Sequence, residues 1–198
     1  MPKKYEIKSP SKCKTCDKSS DCDFLKSKFE KPFDASSIIL DCKAFYIVFC
    51  ELEEMCRIPF GDQEKMKKYN EETEAGKRPF LTPAMLTNGV LAAELALKAL
   101  SLKETGTFDC IHAIDKLFYA LPDAYKYAIS EKLKEQTHQN DETLKSNLAT
   151  IRDFFVDWRY FFEYTSIGYS NFLPEFIHIV CNYAIADIEN CTTGVISE

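Results

Sequence analysis

One arginine, Arg159, sits inside the densest aromatic run of the chain, Phe154-Phe155-Val156-Asp157-Trp158-Arg159-Tyr160-Phe161-Phe162-Glu163-Tyr164, which also holds the only Trp. A guanidinium among aromatic rings must find a partner, because an unpaired buried charge is costly. Two kinds of partner fit: a carboxylate of the protein, or a bound anion. Glu163 lies four residues on and, at about 100° per residue, nearly in line with Arg159 on a helix. Glu94 is the second carboxylate of interest, since it is set among apolar neighbours, Ala92-Ala93-Glu94-Leu95-Ala96. It either forms a helix-surface ion pair with Lys98, four residues on, or turns inward toward Arg159.

The other chemistry-bearing cluster is Cys13, Cys16 and Cys22, spaced two and then five residues apart. Two Cys separated by two residues form a knuckle that can hold zinc, and a third Cys nearby strengthens that reading. A fourth ligand is missing locally; Cys42 is the nearest candidate, and the spacing also resembles iron–sulfur ligation without its last Cys. The competing reading is free thiols in a flexible arm. The other six cysteines (Cys42, Cys50, Cys56, Cys110, Cys181, Cys191) are scattered through the body. They fit buried thiols in a reducing cytoplasm better than a disulfide framework. His112 reads as a structural histidine. No Gly-rich phosphate loop, His-Glu-x-x-His zinc motif or nucleophile elbow is present, and no internal repeat.

The elements that must position these residues follow from composition and periodicity. With 198 residues, 45% of them hydrophobic, the chain can bury one sizeable core. Only six Gly, and segments rich in Ala, Leu, Lys and Glu, predict an all-α class. The net charge of −6 is uneven: residues 1–31 carry nine Lys and five acids, a net of +4, which leaves −10 on the remainder. A strongly acidic body argues against general coating of nucleic acid, although the basic arm could contact phosphates. The first thirty residues lack an apolar run, so no signal peptide is expected. The most apolar window, Ile38 to Cys50, is too short to span a bilayer and contains Asp41 and Lys43. No membrane contact and a cytoplasmic location are expected.

Along the chain, residues 1–31 read as a basic Cys-bearing arm and 32–198 as a helical body. Residues 34–56 predict the first helix, apolar all round at Ala44-Phe45-Tyr46-Ile47-Val48-Phe49 and therefore central. Residues 57–82 predict a long polar connection with a short helix from Asp62 to Glu72. Residues 83–104 predict a strong helix opened by Pro83, with Leu86, Val90, Ala93, Leu97 and Leu100 on one stripe. A shorter helix is predicted over 109–121 with His112 near its start, and another from Asp123 to Lys134. A long helix then runs from an Asn140-Asp141 cap to Gly168, burying Leu144, Leu148, Ile151, Phe155, Trp158 and Phe162. The last helix is predicted over 172–189.

Three stretches, in order, carry a resemblance: Pro79-Phe80-Leu81-Thr82-Pro83 leading into Asn88-Gly89-Val90-Leu91-Ala92-Ala93-Glu94-Leu95-Ala96-Leu97-Lys98-Ala99-Leu100; His112-Ala113-Ile114-Asp115-Lys116-Leu117-Phe118-Tyr119-Ala120-Leu121-Pro122; and Phe155-Val156-Asp157-Trp158-Arg159-Tyr160-Phe161-Phe162-Glu163. Together they resemble HEPN-domain proteins (higher eukaryotes and prokaryotes nucleotide-binding) over roughly residues 35–190, without the Cys-bearing arm. The resemblance implies an up-and-down bundle of about five to six helices that dimerises. Many such proteins are metal-independent RNases of toxin–antitoxin, phage-defence and CRISPR-associated systems. Their motif is an Arg followed after four to six residues by a His. Two copies meet at the dimer interface, where the Arg holds the scissile phosphate and the His moves protons as the ribose 2′-OH attacks.

Carried onto this chain, the Arg is Arg159, and the residue in the place of the His is Tyr164. Thr165 and Ser166 fill the neighbouring positions. A Tyr with an ordinary pKa near 10 is a poor base at neutral pH, whereas His titrates near 6.5. The expectation is a HEPN-like helical protein that binds RNA, a nucleotide or a protein partner at an Arg159-centred groove. Its nuclease motif is degenerate, it works as a homodimer, and it requires no cofactor, the Cys13, Cys16 and Cys22 cluster being a candidate zinc site. The first alternative is a metal-independent endoribonuclease using Arg159 with Tyr164, Glu94 or a displaced His178. The second is a structural interaction module in which Arg159 is sealed by Glu94 or Glu163.

Overall fold

The computed structural model describes residues 34–56, 63–77, 81–152 and 172–193. Among them the chain is helical, with seven helices and no strand: α1 Ala35–Cys56, α2 Gln63–Glu74, α3 Thr82–Thr105, α4 Ile114–Tyr119, α5 Asp123–Thr137, α6 Asp141–Thr150 and α7 Phe172–Thr193. The all-α expectation holds. The Cys-bearing arm, Trp158, Arg159, Glu163 and Tyr164 lie outside the described residues.

The core is built around α3. Pro83 stands in its first turn, where a missing N–H costs nothing, and the chain leaves through Gly106 at φ 74°, whose N–H caps the Leu102 carbonyl. Leu86, Val90, Ala92, Ala96, Ala99 and Leu100 are all fully enclosed, so α3 is buried over most of its circumference, with Ala84, Asn88, Leu91 and Leu95 on its more open side. It is long and apolar enough to cross a membrane by composition; here 72% of its most apolar window is covered by the rest of the protein. The two other long helices, α1 and α7, pack on it and on each other, while α5 lies against α7.

The close approach of these three helices needs a residue without a side chain. A Cβ on Gly89 would lie 2.5 Å from Phe49 Cδ2 and 2.7 Å from Ile177 Cδ1, so glycine lets α1 and α7 meet over α3. Phe49 and Ile177 are both fully buried and cannot swing aside. At the far end of α3, Lys103 bonds the Asp187 carboxylate and its backbone carbonyl, and Tyr125 donates to the same carboxylate at 3.1 Å. This joins α3, α5 and α7.

Three expectations are corrected. The apolar run on α1 is helical but not central: Phe49 is enclosed, while Ile47 and Val48 are 58% and 42% exposed. The helix capped by Asn140, whose side chain accepts from Thr143 N at 2.9 Å, stops at Thr150 instead of continuing unbroken. The Arg152 carbonyl is taken by the Ile114 N–H at 3.1 Å, and its guanidinium by Asp115 at 2.7 and 2.8 Å, which draws the chain out of the helix toward α4. Finally, α4 is only six residues long, and His112 precedes it instead of lying inside it.

Replacing Gly89 by Ala should destabilise the protein. Overpacking a filled core costs about 1–3 kcal/mol, against a gain of about 1 kcal/mol from helix propensity. Chemical denaturation of Gly89→Ala is expected to show a net loss of up to about 2 kcal/mol, and a raised midpoint would mean that α1 does not seat against α3.

Candidate functional site

Glu94 and Lys98 do form the expected i,i+4 pair, but inside the protein and not on a helix surface. Glu94 is 3% exposed and Lys98 8%, with Nζ 2.6 Å from Oε1. The packing explains this: both residues sit among buried neighbours on α3, with Ala93, Ala96, Leu97 and Ala99 enclosed beside them. His112, from the segment between α3 and α4, reaches the same carboxylate, its Nδ1 3.1 Å from Oε1 and 3.0 Å from Oε2. Lys98 also lies 5.8 Å from the centre of the Phe108 ring, a favourable place for a cation. The His112 ring is more than half exposed, so one edge of this triad reaches the surface.

The electrostatics give Glu94 a definite state. Burial alone would raise its carboxyl pKa, but the hydrogen bond from His112 and the charge of Lys98 outweigh burial and hold it below the ordinary 4.5. Glu94 is therefore ionised at neutral pH and is a weak base. The structure brings Glu94 together with Lys98 and His112. Arg159, Glu163 and Tyr164, the other candidates, lie outside the described residues, as do Cys13, Cys16 and Cys22. Among the described residues no group of three His, Cys, Asp or Glu is placed to hold a metal.

A second constellation joins α1 to α7 and was only half visible in the sequence. The Nε2 of His178 lies 2.8 Å from Glu53 Oε2, and its Nδ1 lies 2.7 Å from the Tyr46 hydroxyl, which also accepts from Asn182 Nδ2 at 2.9 Å. A carboxylate only accepts, so Nε2 donates to Glu53, while Nδ1 shares a hydrogen bond with the Tyr46 hydroxyl. Burial chiefly, then the neighbouring Cys50 and Cys181 thiols, push the Tyr46 hydroxyl far above its usual range, so it remains a donor. Both ring nitrogens are thus engaged, and the Phe49 ring lies 5.2 Å from the imidazole, centre to centre. Tyr46, Cys50 and Glu53 recur at four and three residues. That spacing was the available signal for a shared helix face, and it was hidden within an apolar run.

Linkage fixes how the Glu94 triad responds to acid. A carboxylate whose pKa is lower folded than unfolded contributes stability that is fully present above pH 4.5 and is lost as pH falls through the folded value. Melting curves taken from about pH 6 down to about pH 3 should show the wild type losing its advantage over Glu94→Gln, a gap of about 1–3 kcal/mol at neutrality. Lys98→Met, which leaves the buried carboxylate with His112 as its one remaining side-chain partner, should cost about 3–5 kcal/mol. A pH-independent gap would mean that Glu94 is not held ionised. Compared with known proteins, the chain matches no family model, no curated protein and no solved structure.

Proposed function

We propose that this chain is a HEPN-like helical protein that binds the phosphates of RNA or a nucleotide through Arg159 and has little or no nuclease activity. The observation that carries this reading is the state of Glu94. It is the one carboxylate among the described residues that the sequence offered as a base, and it is buried, ionised and bonded to Lys98 and His112. A carboxylate held in this way has little tendency to take a proton from a ribose hydroxyl at neutral pH. Tyr164, in the place of the family's His, is no better a base at its ordinary pKa near 10. The all-helical class and the ordered trio of stretches support the family reading. With Tyr in the place of the family's His, Arg159 would still do what a guanidinium does well: present a fork of donors to phosphate oxygens.

A second reading, a metal-independent endoribonuclease, draws support from His178. Its imidazole is held at both nitrogens by Glu53 and Tyr46, and an oriented histidine of this kind is what proton transfer requires.

The two readings separate in one assay. The protein is incubated with tRNA and with a mixed RNA pool in chelator, beside Arg159→Ala and His178→Ala. The binding reading expects no cleavage, or only a trace, and retention of RNA by the wild type that falls at least tenfold in Arg159→Ala. Cleavage by the wild type that disappears in both variants would establish the second reading. Unchanged RNA retention in Arg159→Ala, with a lowered melting midpoint, would make the arginine structural and overturn the first.

A further inference from the structure

The outer face of α1 mixes large apolar side chains with acids. Leu40, Ile47, Val48 and Met55 are 64%, 58%, 42% and 55% exposed, and Asp41, Ala44 and Glu51 are exposed among them. At about 100° per residue all seven fall within about 70° of one line along the helix, opposite the face that buries Cys42 and Phe49. The one Lys of the helix, Lys43, is bonded to Glu189 on α7. An exposed apolar patch of this extent marks a surface made to be covered.

Charge and connectivity say what covers it. The occupant must be apolar to meet Leu40, Ile47, Val48 and Met55, and basic to meet Asp41 and Glu51; the same face of a second copy would bring only acids. The chain carries such a segment next to the helix. Residues 24–33, Phe24-Leu25-Lys26-Ser27-Lys28-Phe29-Glu30-Lys31-Pro32-Phe33, lie outside the described residues and join α1 through Asp34. They hold four large apolar residues and three Lys against one acid. Pro32 disfavours helical backbone at Lys31, which suits a reversal of the chain there. The reach is sufficient: Ala35 to Met55 spans about 30 Å at 1.5 Å per residue, and ten extended residues cover about 33 Å. A short tether also holds the segment at an effective concentration of the order of millimolar, so that weak contacts suffice.

We propose that residues 24–33 fold back along the outer face of α1, setting Phe24, Leu25 and Phe29 on its apolar side chains and the lysines beside Asp41 and Glu51. The docking uses the surface of α1 that faces away from Tyr46, Glu53 and His178, so it leaves that relay untouched. It also leaves Cys13, Cys16 and Cys22 upstream of the docked segment, available to the zinc chemistry their spacing suits.

The test uses the full chain under reducing conditions and has two parts. Zero-length carbodiimide coupling of the wild type, read by peptide mass spectrometry, should join Lys26, Lys28 or Lys31 to Asp41 or Glu51 within one chain. Hydroxyl-radical footprinting then compares the wild type with the double variant Phe24→Asp/Phe29→Asp. Labelling of Leu40, Ile47 and Met55 should rise about threefold or more in the variant, because it follows the fraction of time the face is bare. In the wild type it should be the same at about 1 and about 50 micromolar, because a tethered segment does not dilute away. Absence of these couplings, or their presence only in a cross-linked dimer, would overturn the proposal. Equal labelling of the two proteins would also overturn it and leave the face to a separate partner, and wild-type labelling that falls as concentration rises would assign it to a second copy. If the double variant does not fold, the coupling of the wild type decides alone.

Discussion

The structure depends on one central helix, α3, that its neighbours cover over most of its surface. Because α1 and α7 close over most of α3, a polar group on its covered side must be satisfied within the protein or carry the cost of desolvation. Glu94 and Lys98 meet that condition by neutralising each other one turn apart, and His112 takes the remaining acceptor capacity of the carboxylate. Gly89 makes the enclosure possible, since Phe49 and Ile177 occupy the space a side chain would need. The short α4 and the segment before it follow from the same constraint: the chain that leaves α3 at Gly106 must come back past the triad to deliver His112. Where Asp115 is concerned, satisfaction is incomplete. One oxygen is held by Arg152, and Oδ1 is buried with no partner among the described residues.

Much of the fold was legible because helix signals are local. Pro83, Asn140 and the 3.6-residue stripe of α7 act within a turn or two, and the elements they mark appear with ends shifted by a few residues. The misreadings came from information that no local window contains. Ala44 to Phe49 is apolar on every side, and nothing in that run says which side meets α3. The answer is set by Phe49 fitting against Gly89, forty residues away. The helix after Asn140 has an apolar period that continues past Ile151, yet a backbone bond from Ile114 and the Asp115–Arg152 pair end it. Periodicity reports propensity, and tertiary bonds overrule it at chosen residues.

The candidate site was legible to a similar depth. The i,i+4 spacing of Glu94 and Lys98 showed that they could pair, and their apolar neighbours hinted at burial. Neither feature pointed to His112, which joins from a segment without periodicity. The relay of Glu53, His178 and Tyr46 was harder still, because its members come from opposite ends of the chain and meet only where α1 and α7 pack together. What these two constellations share is their chemistry. Each fixes an imidazole against a carboxylate, but one is locked to a buried cation and the other lies at a half-exposed seam.

The reading of this chain as a binding protein turns on Glu94 being an anchor and not a base. That is a statement about one proton, and it can be observed directly. Carbon-detected NMR of protein labelled at glutamate side chains, with Glu94→Gln to assign the signal, follows the carboxyl through a pH titration. A Glu94 carboxyl that stays ionised throughout the neutral range and titrates below 4.5 agrees with the buried pair described above. A midpoint near neutrality would contradict it, and would identify Glu94 as a group poised to take a proton.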